Sequence, residues 1–139
     1  MPETEVTFQS GELRLAGTLM SPAGPGHFPA ALLLAGSGPL DRDGNHKRMP
    51  LNVSRDRALL LAEAGWASLR YDKRGIGTSD GDYLTTGFYE ELADAGAALD
   101  TLAARPDVGS VVVVGHSAGA LFAAELASRI TGISGAVLL

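Results

Sequence analysis

At 139 residues, 45% of them apolar, the chain has room for one domain with a real core and not for two. Its 16 acidic residues against 11 basic ones give a formal net charge of -5. With no block of five like charges, this argues against a nucleic-acid or anionic-membrane surface and leaves a small-molecule partner open. The absence of cysteine excludes a disulfide scaffold, a thiolate zinc site and a cysteine nucleophile, so any covalent catalysis must use another atom.

The N-terminus, M-P-E-T-E-V-T, is acidic and lacks the basic and apolar regions of a signal peptide. Residues 4–9 alternate, Ser10-Gly11-Glu12 reads as a turn and residues 13–20 continue as a strand, so residues 1–21 are predicted to form an antiparallel hairpin. Two uncharged stretches, 15–40 and 108–124, are long enough to test as membrane spans. Pro22, Pro25, Pro29 and Pro39 break the first, and Gly109, Gly115, His116 and Ser117 break the second. The expectation is a soluble, cytoplasmic segment with no membrane partner.

After the proline-rich loop, residues 30–35 are apolar at every position, as in a strand covered on both faces. Residues 54–64 read as a helix closed by Gly65, and 66–71 as a strand. Residues 88–104 carry Leu92, Ala95, Leu99 and Leu102 on one helical stripe, with the acids Glu91, Asp94 and Asp100 expected on a solvated face. A strand over 110–114 follows, then a helix over 118–130, amphipathic through Leu121, Phe122, Leu126 and Ile130, and a strand from Gly135 to Leu139. Such alternation over residues 30–139 predicts an α/β fold, a mostly parallel sheet with helices on both faces. Leu32, Leu34, Leu69, Val112, Val114 and Val137 are expected to be buried in its parallel strands.

Gly115-His116-Ser117-Ala118-Gly119 fits G-x-S-x-G, a pattern for which a chain with 18 glycines gives about 0.16 chance matches. Its context is more specific: the string follows a buried strand and opens an amphipathic helix, the strand-turn-helix arrangement of a nucleophile elbow. A nucleophile in such a strained turn leaves no room for side chains two residues before and after it, hence the flanking glycines. The plainer reading makes Ser117 a helix N-cap and residues 36–39 an ordinary tight turn.

With this motif the sequence resembles the alpha/beta-hydrolase superfamily. Two further segments carry the resemblance: Leu32-Leu33-Leu34-Ala35-Gly36-Ser37-Gly38-Pro39, similar to the strand and oxyanion loop, and Arg70-Tyr71-Asp72-Lys73-Arg74-Gly75-Ile76-Gly77-Thr78-Ser79, similar to the family's post-strand loop. The run G-S-G-P-x-D-R-D-G-N from Gly36 resembles a serine esterase and peptidase branch with dienelactone-hydrolase-like members. The resemblance implies Ser117 as nucleophile and the backbone N–H of Ala118 and of Ser37 as the oxyanion hole. Ala35 stands where the family usually has histidine, and only the backbone is required of Ser37. The implied function is hydrolysis of carboxylic esters or related acyl compounds through an acyl-enzyme at Ser117, with a small-molecule acyl substrate and no cofactor. A peptidase or acyltransferase with the same nucleophile, and a non-catalytic binding protein of the same fold, are the alternatives.

The other polar residues carry plainer expectations. His116 adjoins Ser117 but points elsewhere in a sharp turn, and is expected to be packed and hydrogen-bonded. His27 and His46 precede the elbow on loops. Asp41, Asp43 and His46 read as a turn with side-chain caps and not as a cation site, and no metal centre is expected. Asp72 is expected to pin its loop with Arg74. Gly75, Gly77 and Gly81 have the wrong spacing for a dinucleotide loop, and no phosphate-loop motif occurs. By family order the triad acid and histidine follow the nucleophile, yet no histidine follows Ser117. The one acid after it, Glu125, lies about 12 Å along the helix, too far to orient a base. No triad closes within the 139 residues, and the sequence reads as the N-terminal half of such a domain, truncated before its last strands, with any cap insertion absent as well.

Overall fold

The computed structural model describes residues 2–139. Its elements are β1 (Glu3–Ser10), β2 (Leu13–Met20), β3 (Phe28–Leu34), α1 (Val53–Glu63), β4 (Ala67–Tyr71), α2 (Phe88–Ala103), β5 (Val108–Gly115), α3 (Ala118–Arg129) and β6 (Ile133–Leu138), with a single 3-10 turn at Tyr83–Thr85. The strands form one sheet in the order β1-β2-β4-β3-β5-β6. β4, β3, β5 and β6 run parallel, β2 joins β4 antiparallel, and β1 pairs antiparallel with β2.

Parallel neighbours require crossovers, and right-handed crossovers decide which face each helix covers. From β3 the chain crosses through α1 to β4 on one side; from β4 it returns through α2 to β5 on the other side of β3, then continues through α3 to β6. The reversal puts α1 on one face of the sheet and α2 and α3 on the other. It also opens a crevice between the carboxyl ends of β3 and β5, the usual place for a ligand in an open α/β sheet. Residues 35–39 follow β3, and Ser117 follows β5.

On the α2/α3 face Leu32, Leu34, Leu69, Val111 and Val113 pack against Leu92, Ala95, Leu99, Leu102, Phe122 and Leu126. On the other face Met20, Ala31 and Leu33 meet Ala58 and Ala62 of α1, whose small side chains let the helix lie close. α1 ends as Gly65 predicts: Gly65 takes φ 91°, its N–H donates to Ala62 O, and the Trp66 N–H donates to Leu61 O at 2.8 Å, a Schellman cap.

Five burial expectations are corrected. Val112 and Val114 are only half-buried and Val137 is 45% exposed. Those two β5 positions face the α1 side, where α1 covers β2, β3 and β4 but leaves β5 and β6 largely bare; Val111 and Val113 are the buried ones. Leu121 is 63% exposed, because α3 buries the stripe of Gly119, Phe122, Ala123 and Leu126 instead. Asp94 is 2% exposed, not solvated, and accepts hydrogen bonds from Ser10 Oγ at 2.6 Å and from Arg74 Nη2 at 2.7 Å. The stripe of α2 packs on the sheet next to β1, so a carboxylate one position from it is covered by the hairpin. No helix among the described residues is long and apolar enough to cross a membrane.

Candidate active site

β5 passes into α3 through a turn centred on Ser117, at φ 55° and ψ −118°. A non-glycine residue there is strained, at a cost of about 1–3 kcal/mol, and is held only where its surroundings over-determine it. They do so here from both sides. The His116 N–H donates to Leu34 O of β3 and the Ser117 N–H donates to Leu139 O at 3.0 Å, while Leu139 N–H donates back to Gly115 O. α3 begins at once, with Gly119 N–H on His116 O and Ala120 N–H on Ser117 O. A Cβ at Gly115 would fall onto the Gly119 carbonyl, and one at Gly119 would lie 2.5 Å from Leu34 O and 2.6 Å from Ala35 O. Ser117 occupies the N-cap position, but its side chain makes no capping bond and the residue is exposed. The strain gives an expected result: Ser117→Gly should raise stability by about 1 kcal/mol, read as a higher melting temperature, whereas Ser117→Ala should not. A lower melting temperature for Ser117→Gly would contradict the strained turn.

Beside the elbow, the loop after β3 brings Gly36 against it, with a Cβ at Gly36 lying 3.3 Å from His116 Nδ1 and 3.6 Å from Ser117 Cβ. Among the described residues neither the Ser37 N–H nor the Ala118 N–H has a hydrogen-bond acceptor. Ser37 stands between two clefts. One, of about 610 Å³, is lined by Ser117, His116, Leu40, Met49, Leu51 and Arg57 among others; the second, of about 300 Å³, is bordered by Gly38, Lys73, Tyr83, Ala118 and Phe122. The arrangement sets an exposed serine hydroxyl in an accessible cleft, with backbone N–H groups that lack acceptors on the neighbouring residue and on the adjoining loop. His116 departs from expectation: it is exposed on the rim of the larger cleft, and its side chain has no hydrogen-bond partner among the described residues. The turn that lifts Ser117 out of the sheet carries its neighbour out as well.

The family model of serine aminopeptidase S33 matches residues 52–139. The chain belongs to this S33 hydrolase family. Esterase EstD of Thermotoga maritima is 38% identical over 115 residues, 83% of this chain and 27% of that protein. An uncharacterized protein of Rickettsia prowazekii is 31% identical over 126 residues, 90% of this chain and 50% of the relative. Among solved structures, the alpha/beta hydrolase GrgF from Penicillium sp. sh18 superposes with a TM-score of 0.82 at 23% identity, over 99% of this chain and 45% of that one. The Pyrococcus furiosus esterase Pf2001 does so with a TM-score of 0.78 at 23% identity, over 99% and 49%. The fold is that of the alpha/beta hydrolases, and the S33 chain spans a quarter to a half of the length of these relatives.

In this S33-family chain the polar residues around the cleft form a frame that the sequence shows only in part. Asp72, 3% exposed, pairs with Arg42 and not with Arg74: it accepts from Arg42 N–H at 2.7 Å and Arg42 Nη2 at 2.8 Å, and from the Thr78 N–H at 3.1 Å. Arg74 instead forks onto Asp94. The swap follows from topology, since β3 and β4 are parallel neighbours whose following loops meet above the sheet. Arg70 Nε, from buried β4, donates to Asp43 at 3.1 Å, so two arginine–aspartate pairs moor residues 41–45. Within that segment Asp41 Oδ1 accepts the N–H of Asp43 and of Asn45, the capped turn expected, and His46 Nδ1 accepts the Arg48 N–H. No group of three or more candidate metal ligands occurs among the described residues. Glu125 is engaged by Arg129 on its own helix at 2.9 Å.

Burial pushes the Asp72 carboxyl up, but the hydrogen bonds and charge of Arg42 and the Thr78 N–H outweigh it and hold the group below the usual carboxylate range. A depressed folded value means that the stabilisation is present above the ordinary aspartate value of about 3.9 and is lost as pH falls through the lower folded value. Asp72→Asn removes the buried counter-charge of Arg42, leaving it only the exposed Glu5, and should cost about 3 kcal/mol at neutral pH, with a smaller deficit in acid. Urea melts of both proteins from neutral pH to pH 3 check this. A deficit that does not shrink in acid would show that the charge is not what matters.

Proposed function

We propose that this chain carries the nucleophile and oxyanion hole of a serine hydrolase acting on carboxylic esters or related acyl compounds. The observation that carries the reading is the strained, exposed Ser117 beside two backbone N–H groups, of Ser37 and Ala118, that have no acceptor. Ser117 Oγ attacks the acyl carbon and gives up its proton to a general base. The carbonyl oxygen becomes an anion facing the Ser37 and Ala118 N–H groups, and the dipole of α3 favours the same negative charge. Collapse expels the alcohol, which takes the proton, and water then releases the acid from the acyl-serine. Leu40, Met49 and Leu51 give the larger cleft an apolar wall suited to a hydrocarbon portion of the substrate.

The reading assigns the general base to polypeptide beyond Leu139, because none of His27, His46 and His116 follows Ser117. The relative whose name is esterase has ample length for it, since this chain covers 27% of EstD. The test uses a fluorophosphonate probe on the 139-residue chain and on a form continued past Leu139 with the corresponding EstD segment. Labelling at Ser117 is expected in the continued form, with the 139-residue chain nearly inert. Brisk labelling of the shorter chain would mean that a base already stands within it; labelling of neither form would count against the nucleophile. Ester, amide and acyl-acceptor substrates offered to the continued form separate esterase, peptidase and acyltransferase.

A further inference from the structure

Lys73 follows β4, and its ammonium reaches the loop after β3, donating to the Gly36 carbonyl oxygen at 2.5 Å and to that of Gly38 at 2.9 Å. The side chain is 13% exposed, and Glu91 of α2 supplies a counter-charge 3.9 Å away. The Gly36 carbonyl and the Ser37 N–H belong to one peptide unit. In a planar trans peptide these groups point in opposite directions, so a group that fixes the carbonyl also fixes the N–H. Lys73 borders the smaller cleft and Ser117 the larger one, with Ser37 common to both. Ser37 therefore stands where the two clefts meet.

We infer that Lys73 is the positioning residue of the oxyanion hole: by binding the Gly36 carbonyl it turns the Ser37 N–H away from itself toward the acyl oxygen, and strengthens that N–H as a donor. The strengthening follows from polarisation, because a cation on the carbonyl withdraws electron density from the amide and hydrogen bonds in series reinforce one another. The second bond, to Gly38, stiffens the same loop, which turns sharply there at φ 99°. Lys73 touches no reacting atom. The inference rests on the serine-hydrolase reading for its catalytic consequence, while the clamp itself can be tested without turnover.

The test has two arms. In the 139-residue chain, Lys73→Met should move the Ser37 amide nitrogen resonance upfield, with Ala118, whose peptide unit Lys73 does not touch, as an internal control. In the form continued past Leu139, Lys73→Met should lower kcat by about 10–100-fold, less than the loss of a whole oxyanion donor, with KM nearly unchanged. The affinity of a trifluoromethyl ketone, which forms the tetrahedral anion, should fall by the same factor as kcat/KM, and Lys73→Arg should recover part of it. Lys73→Gln, which keeps a donor and drops the charge, serves in both arms if Lys73→Met does not fold. An unmoved Ser37 resonance in a folded variant overturns the clamp whatever the activity does. A moved resonance with unchanged kcat/KM overturns the catalytic role. Full activity of Ser117→Ala would instead remove the serine-hydrolase reading and leave the clamp to the resonance alone.

Discussion

Replacing Ser117 by alanine in the form continued past Leu139 is expected to lower kcat for ester hydrolysis by about 10⁶, leaving a residual rate about 10³–10⁴ above water. The size follows from the division of labour at the elbow. On the proposed mechanism, removing Oγ deletes the covalent route, yet the Ser37 and Ala118 N–H groups and the cleft remain and would still bind an anionic oxygen. The structure of the variant should be unchanged, because Ser117 is fixed by its backbone bonds to Leu139 and Ala120 and its side chain caps nothing. Steady-state hydrolysis of a p-nitrophenyl ester, with circular dichroism on the same sample, separates loss of chemistry from loss of fold. Undiminished hydrolysis by a folded Ser117→Ala protein would reject the nucleophile.

Gly119→Ala should be strongly damaging, costing about 3 kcal/mol or more. The new Cβ would sit 2.5 Å from Leu34 O and 2.6 Å from Ala35 O, and backbone carbonyls at the end of a central strand cannot rotate away as a flexible side chain can. Relief would require α3 to lift from β3, which would also shift Ser37 and Ser117 apart. With a urea dependence of about 1–3 kcal/mol per molar, the unfolding midpoint should fall by about 1 M or more. Gly96→Ala is the contrast. Gly96 lies inside α2 with its nearest neighbour, Leu126 Cδ2, at an ordinary 3.9 Å, so alanine there should stabilise by about 0.4–1 kcal/mol through helix propensity and unfolded-state entropy. Equal midpoints for the two variants would contradict the close approach of α3 and β3.

The elements that carry the elbow were legible because their signals are local. A strand apolar at every position needs cover on both faces, and a glycine on each side of G-x-S-x-G marks a turn where backbones nearly touch; both requirements reside in consecutive residues. Gly65 announced the end of α1 for the same reason, since only the left-handed conformation completes that cap. The uncovered β5 face was not legible, because Val111, Val112, Val113 and Val114 are identical as letters and differ only in which helix lies above them. The burial of Asp94 is hidden from the sequence for a related reason: its place beside the apolar stripe of α2 says nothing of the hairpin that folds over it.

What the sequence determined by itself is the class of fold, the position of the strained serine and the loops that flank it, since strand period, helix period and glycine placement are properties of neighbours along the chain. The tertiary structure alone decided which charges meet. Asp72 faces Arg42, 30 residues away, and Lys73 reaches Gly36, 37 residues away, because β3 and β4 lie side by side and their loops emerge together. Charged side chains pair across space with whatever the crossovers bring near, and spacing along the chain carries no record of that choice.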